Sequence, residues 1–279
     1  MLTVVALGFS LVWGVLNIIN LAHGAFIMLG SYVTYLAFTV AGIDPFLSIP
    51  LSMAILFGLG YLIQRGTLNF VMRAPLLVTF LLSFGLEIII INLALYFFKG
   101  DLRAITTRYS GASVTLLSDA ATGNTIEVPI VRLGAFVIAL LLAFLTNRLM
   151  TRTRVGRAIR STGMDKDAAQ LTGVKIGPIY ALTFGLGAAL AGAAGSLIAM
   201  SQSFQPGFGG TYTLRAFVIV VLGGLGSIPA VILGALLFAT AEVITGLWQP
   251  GLIQAVTFGL LVVVLIVRPS GLAGKAFYQ

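Results

Sequence analysis

Apolar runs, each near the length of a bilayer-crossing helix and almost free of charge, recur from one end of this chain to the other. They fall at residues 2–19, 25–41, 46–63, 75–98, 133–149, 179–200, 214–222, 230–247 and 252–267, the seventh being short. A bilayer core about 30 Å thick requires roughly 20 apolar residues per helix, and backbone groups in lipid must be satisfied within the segment, which selects helices here. The expectation is an all-α polytopic membrane protein with about eight to nine transmembrane or partial helices, some interrupted, forming one domain over residues 1–279. Composition agrees. Of the 279 residues, 9% are charged, against roughly 25% in a soluble domain, too few to build a water-facing surface.

The net charge of +8 is not a nucleic-acid signature, because the basic residues sit in short segments between apolar runs, as the positive-inside bias requires. Arg148, Arg152, Arg154, Arg157, Arg160, Lys166 and Lys175 face only Asp165 and Asp167, which assigns the loop at 151–178 to the cytoplasm. Arg65 with Arg73, and Arg268 with Lys275, mark a further cytoplasmic loop and a cytoplasmic C-terminus. The segment 99–131 balances Lys99, Arg103 and Arg108 against Asp101, Asp119 and Glu127, and is assigned outside. Its Gly111, Ser118, Asp119, Thr122, Gly123, Asn124 and Pro129 are turn residues, with room for a hairpin. Counting back from Arg65 puts Met1 outside, and no cleavable leader is visible.

Two runs look broken. Asn17, Asn20, His23 and Gly24 interrupt one apolar stretch, and Gly223, Gly224, Gly226, Ser227 and Pro229 interrupt another. Unwound backbone inside a membrane is tolerated only where it is buried in protein or lines a cavity, so such breaks point to a substrate path. An ordinary interhelical loop is the competing reading, above all at the second place. In the cytoplasmic segment, residues 165–171 read as a short helix capped by Asp165, with Gly173 just past its end and Pro178 stopping it. A charged amphipathic helix there can seat in a groove of a soluble partner or rest on lipid headgroups.

The family resemblance rests on several blocks. Asp167, Ala168, Ala169 and Gly173 form D-A-A-x-x-x-G, similar to the E-A-A-x-x-x-G loop that permeases of ATP-binding-cassette importers present to their ATPases, with aspartate for glutamate. T-R-V-G-R-A-I-R-S-T at 153–162, N-x-x-N-L-A-H-G-A-F-x-M-L-G-S-Y at 17–32, V-L-G-G-L-G-S-I-P-A at 221–230 and R-P-S-G-L at 268–272 resemble the branched-chain amino-acid permease family, its LivH-type subunit in particular. Members of that family carry about one more helical segment before the position matching Met1. The resemblance implies an importer permease fold in a bacterial-type inner membrane, paired with a second homologous permease subunit. It also implies two cytoplasmic ATPase subunits, an extracytoplasmic substrate-binding protein, and coupling through Asp165, Asp167, Ala168, Ala169 and Gly173. ATP is then used by the partners and no cofactor by this chain. In keeping with that, its only Gly-Lys pair, Gly274 and Lys275, is followed by Ala276 and lacks the G-x-x-x-x-G-K-[ST] phosphate loop.

Candidates along the substrate path are the polar residues a membrane interior makes costly. Glu87 and Glu242 lie deep within runs and are able to meet the ammonium of an amino acid or to bond a neighbouring helix. Arg215, beside an external loop at 201–213, is placed to meet a carboxylate or a docking protein, or to snorkel. Asn17, Asn20 and His23 belong to the first break; the histidine contacts substrate or, the favoured role, ties a helix end to a backbone carbonyl. Gly187, Ala191 and Gly195, with Ala188 and Gly192, have the small-residue spacing of close helix packing. With no cysteine, one histidine and no G-x-S-x-G, an intramembrane enzyme is not indicated. A urea or amide importer permease, a gradient-driven transporter or channel, and a non-transporting scaffold remain competing functions.

Overall fold

The computed structural model describes residues 1–72, 74–118, 125–224, 227–268 and 270–272. Every apolar run is a helix: α1 (Leu2–Leu16), α2 (His23–Thr39), α3 (Ser48–Ile63), α5 (Leu76–Phe98), α6 (Ile130–Arg152), α9 (Ile176–Ala199), α10 (Gly209–Gly223), α11 (Ile228–Trp248) and α12 (Ile253–Val267). A π turn (Gln64–Leu68) carries α3 into the short α4 (Asn69–Val71), and α7 (Arg154–Met164) and α8 (Lys166–Leu171) lie between α6 and α9. Six spans, beginning at Ser48, Leu76, Ile130, Ile176, Ile228 and Pro250, are long and apolar enough to cross a bilayer. At 15 residues, α1 and α10 reach about 22 Å each, short of the ~30 Å core.

The bundle is organised around α9, whose apolar window is 89% buried where that of α12 is 6%. Its small residues explain the position. Gly187 lies against Gly8 and Val12 of α1, Gly192 against Ser52 and Leu56 of α3, and Gly195 against the Ile27 carbonyl of α2. Backbones meet there without intervening side chains, the arrangement that drives helix association where lipid removes the hydrophobic force. Hydroxyls fasten the seam: Ser31 Oγ donates to Gly195 O at 2.9 Å and Thr34 Oγ1 to Ser196 Oγ at 2.7 Å.

Helix directions follow from these contacts. One end of the bundle carries an antiparallel hairpin, β1 (Ser113–Ser118) with β2 (Thr125–Pro129), in which Ser113 pairs with Pro129 and Thr115 with Glu127. Its approach strand is tied to the bundle by Arg103, which exchanges backbone bonds of 2.9 Å with Phe204 and donates to Tyr35 Oη at 3.1 Å. Tyr109 Oη donates to Asp44 Oδ2 at 2.9 Å; burial first, and then this bond, push the phenol up to about 12, keeping it a donor. The opposite end carries α7 and α8 as an elbow, and the ends of α3, α10 and α12 gather there as well, with Asn69 Nδ2 donating to Gly177 O and Leu272 N to Leu222 O. The basic segments around Arg65, Arg148–Lys175 and Arg268 therefore share one end.

The structure corrects several sequence expectations. Pro178 does not end a helix but sits in the first turn of α9, where its missing N–H costs nothing. Arg65 lies in the π turn rather than a loop. The loop 201–213 is shorter than expected because α10 begins at Gly209, and Arg215 stands in its second turn. At the second break two helices pack antiparallel on each other: Gly223 of α10 lies on Ala230 of α11, Gly234 on Ile219, and Ser227 Oγ caps α11 by accepting from Ala230 N at 3.2 Å. Amphipathic α7 was not anticipated; it buries Gly156, Ile159 and Thr162 and exposes Arg154, Arg157 and Arg160. Arg73, Asp119, Thr122, Gly123, Asn124, Gly226, Gly274 and Lys275 lie outside the described residues.

Candidate functional site

The first break is real and re-entrant. Asn17 ends α1 in the left-handed conformation (φ 55°, ψ 35°), which asparagine tolerates better than other side-chain-bearing residues. Residues 17–22 then return into the bundle, and α2 starts beside the middle of α1. There His23 Nε2 donates to Val5 O at 2.9 Å, and its ring stands edge-on to Phe9 at 5.5 Å. The histidine is 1% exposed and joins the two helices across the break.

Two distant helices hold the unwound backbone. On α5, Ser83 Oγ accepts from Leu21 N at 3.3 Å, and its single proton is shared between Phe80 O at 2.9 Å and Ile19 O at 3.3 Å. On α10, Thr213 Oγ1 accepts from Gly24 N at 2.8 Å and donates to Leu21 O at 3.4 Å. The start of α10 meets the start of α2 backbone to backbone: a Cβ on Gly24 would run into the carbonyl of Gly209, and one on Gly209 into that of Gly24. Both helices thus begin inside the protein, their N-terminal ends adjoining the same stretch of extended chain.

Polar groups collect around this junction. Asn20 is 3% exposed and its Oδ1 has no partner. Glu87 follows Ser83 by four residues, hence on the same face of α5, and its Oε1 lies beside Gly210, 3.7 Å from where a Cβ would sit. Among the described residues Glu87 makes no ion pair; the salt bridge they contain joins Arg215 Nη2 to Glu242 Oε1 at 2.6 Å. The other two candidates therefore answer each other across α10 and α11, and the guanidinium also stands 5.2 Å from the Tyr212 ring centroid. Asn17 is exposed and faces the elbow end instead. Chemically, the junction offers a half-buried carboxylate, a buried amide oxygen and uncoiled backbone among apolar helices, an arrangement suited to a cationic or ammonium group. Ser83 and Thr213 escaped the sequence reading; the four-residue spacing from Ser83 to Glu87 was the available signal for the first.

At the elbow, Asp165 Oδ1 caps α8 by accepting from Asp167 N at 2.9 Å and Ala168 N at 3.0 Å. Ala169 is 3% exposed and seats α8 on the bundle, whereas Leu171 is 90% and Met164 87% exposed. Gly173, at φ 89°, turns the chain toward α9.

A bundle of bilayer-length helices, with one span interrupted and polar groups gathered at the interruption, has the construction of a membrane permease. Residues 1–265 match the family described as branched-chain amino acid transport system / permease component, and the chain belongs to that family. It is 32% identical, over 97% of its length and 91% of the relative's, to the high-affinity branched-chain amino acid transport system permease protein BraD of Pseudomonas aeruginosa. It is 30% identical, over 97% of its length and 90% of the relative's, to the corresponding LivH of Escherichia coli strain K12. To LivM of the same strain, a second permease protein of that system, it is 28% identical over 96% of its length and 67% of the relative's. No solved structure matches the chain.

Proposed function

We propose that this chain and a second, related permease subunit form the translocation path of an inner-membrane ATP-binding-cassette importer for branched-chain or related apolar amino acids. Two separate ATPases dock at the elbow end, which faces the cytoplasm through residues 151–178, and a soluble binding protein delivers substrate at the hairpin end, where residues 99–131 lie outside. ATP is bound by those partners, and this chain uses no cofactor of its own.

The observation that supports coupling is the elbow itself. Asp165 fixes the start of α8, buried Ala169 anchors it, and Gly173 returns the chain to the central helix. Leu171 is left projecting from a charged surface, as an anchor for a groove would be. Since α9 contacts α1, α2 and α3, displacement of α8 by the ATPases reaches the interrupted span through one rigid helix. Alternating access follows: closure of the ATPases on ATP opens the permease pair outward, and ADP release returns it inward. Within the path, Glu87 and Asn20 receive the ammonium group. His23, Ser83 and Thr213 hold the break open, and the Arg215–Glu242 pair braces α10 against α11.

The test is ATP-dependent uptake of labelled leucine, isoleucine, valine and urea by the complex reconstituted in proteoliposomes. Leucine-type substrates should accumulate only with the ATPases present, and Glu87→Gln should lower uptake about tenfold or more, the scale of one lost charge-assisted bond. Accumulation by this chain without ATPases, or preference for urea, contradicts the reading.

A further inference from the structure

A cavity of about 290 Å³ opens at the elbow end, separate from the Glu87 junction, between α1, α5, α7, α8 and α9. That volume stands at the lower edge of the ~300–1,000 Å³ range of small-molecule sites. Its lining is divided by chemistry. Lys166, the first residue of α8, is the one charged group among the described lining residues. The same lining includes the C-terminal turn of α1, ending at Asn17, where the last helix carbonyls lack intrahelical partners and carry partial negative charge. Asn17, which is exposed, and Tyr180 border the same space. Ile18, Met72 and Leu76 supply an apolar wall.

We infer that this cavity binds a zwitterionic apolar amino acid, with the carboxylate on Lys166, the ammonium on the carbonyl end of α1 and Asn17, and the aliphatic side chain against Ile18, Met72 and Leu76. The inference rests on the transport reading above and deepens it by placing a second substrate station on the cytoplasmic side. An ammonium group and carbonyl dipoles in one lining match a zwitterion and leave a neutral amide or a simple fatty acid half-satisfied. The station also touches the coupling element, because Thr162, Gly163 and Met164 of α7 border the cavity together with Lys166. Ligand there and the position of α7 and α8 are thus linked, and linkage is reciprocal.

The experiment measures equilibrium binding of labelled leucine to the purified full complex in nanodiscs, without the binding protein, in competition with leucinamide and 4-methylpentanoate. Leucine should bind saturably, and each analogue, lacking one charge, should compete about tenfold less well or worse. Lys166→Gln should weaken leucine by a similar factor and erase its advantage over leucinamide, and Ala74→Phe, which fills the cavity from the chain just before α5, should remove the Lys166-dependent binding, whereas Glu87→Gln should leave it in place. Absence of leucine binding, equal competition by leucinamide, or binding unchanged in both cavity variants overturns the station. The transport reading fails separately, if the same complex shows no ATP-driven leucine uptake. Uptake that survives while the cavity predictions fail removes this inference alone.

Discussion

Single residues carry the break between α1 and α2. Gly24 and Gly209 are required because each Cα faces the other's carbonyl, so a methyl group at either must push two buried helix starts apart. Gly24→Ala should therefore destabilise the purified protein by about 1–3 kcal/mol, the cost of overpacking. Gly58, with nothing within 4 Å of its Cβ position, should accept alanine without loss; thermal unfolding of both variants in detergent checks the contrast. Equal melting of the two variants would mean that the helix starts are not in contact. Glu87, Asn20 and His23 were legible in the sequence because polar groups in an apolar run demand an explanation. Ser83 and Thr213 were not, since a hydroxyl in a membrane helix satisfies itself on its own backbone, as Ser83 also does on Phe80 O at 2.9 Å. Their partners lie 62 and 189 residues away, a distance no local pattern encodes. The same reason hid the Arg215–Glu242 pair, whose members were read as two separate groups.

At the level of elements, the apolar runs located the membrane helices well but not their starts. The boundary of α10 was misplaced because Tyr212 and Thr213 read as loop residues while the threonine is spent on the junction and the tyrosine on Gln202, whose Nε2 donates to Tyr212 Oη at 2.7 Å. The α8 helix and its cap were legible from Asp165 and Gly173, whereas α7 was missed because three arginines masked a buried face of Gly156, Ile159 and Thr162. The exposure of α8 beyond Ala169 yields a prediction about the element as a docking device. Leu171→Asp, at a position 90% exposed, should leave the melting temperature of the isolated permease unchanged and weaken co-purification of the ATPases about tenfold, as for an interface anchor. Undiminished co-purification would place docking elsewhere.

For the whole molecule, the stripe of Gly187, Ala188, Ala191, Gly192 and Gly195 forecast close packing, and α9 proves to be the axis on which α1, α2 and α3 converge. Composition alone settled that the chain lives in a membrane. It could not tell the first interruption, a re-entrant break, from the second, which lies between two helices packed along each other, because both are short polar and glycine-containing gaps; packing of α10 along α11 separates them. The bundle has two chemically unlike ends, and the account depends on which faces the cytoplasm. The sequence contains no cysteine, so single cysteines can report this without background. Right-side-out membrane vesicles carrying Thr125→Cys or Leu171→Cys, in the permease without its ATPases so that Leu171 stays uncovered, are treated with a membrane-impermeant maleimide before and after permeabilisation. The account predicts labelling of Thr125→Cys from the start and of Leu171→Cys only once the inner face is exposed; labelling of Leu171→Cys in sealed vesicles would contradict it.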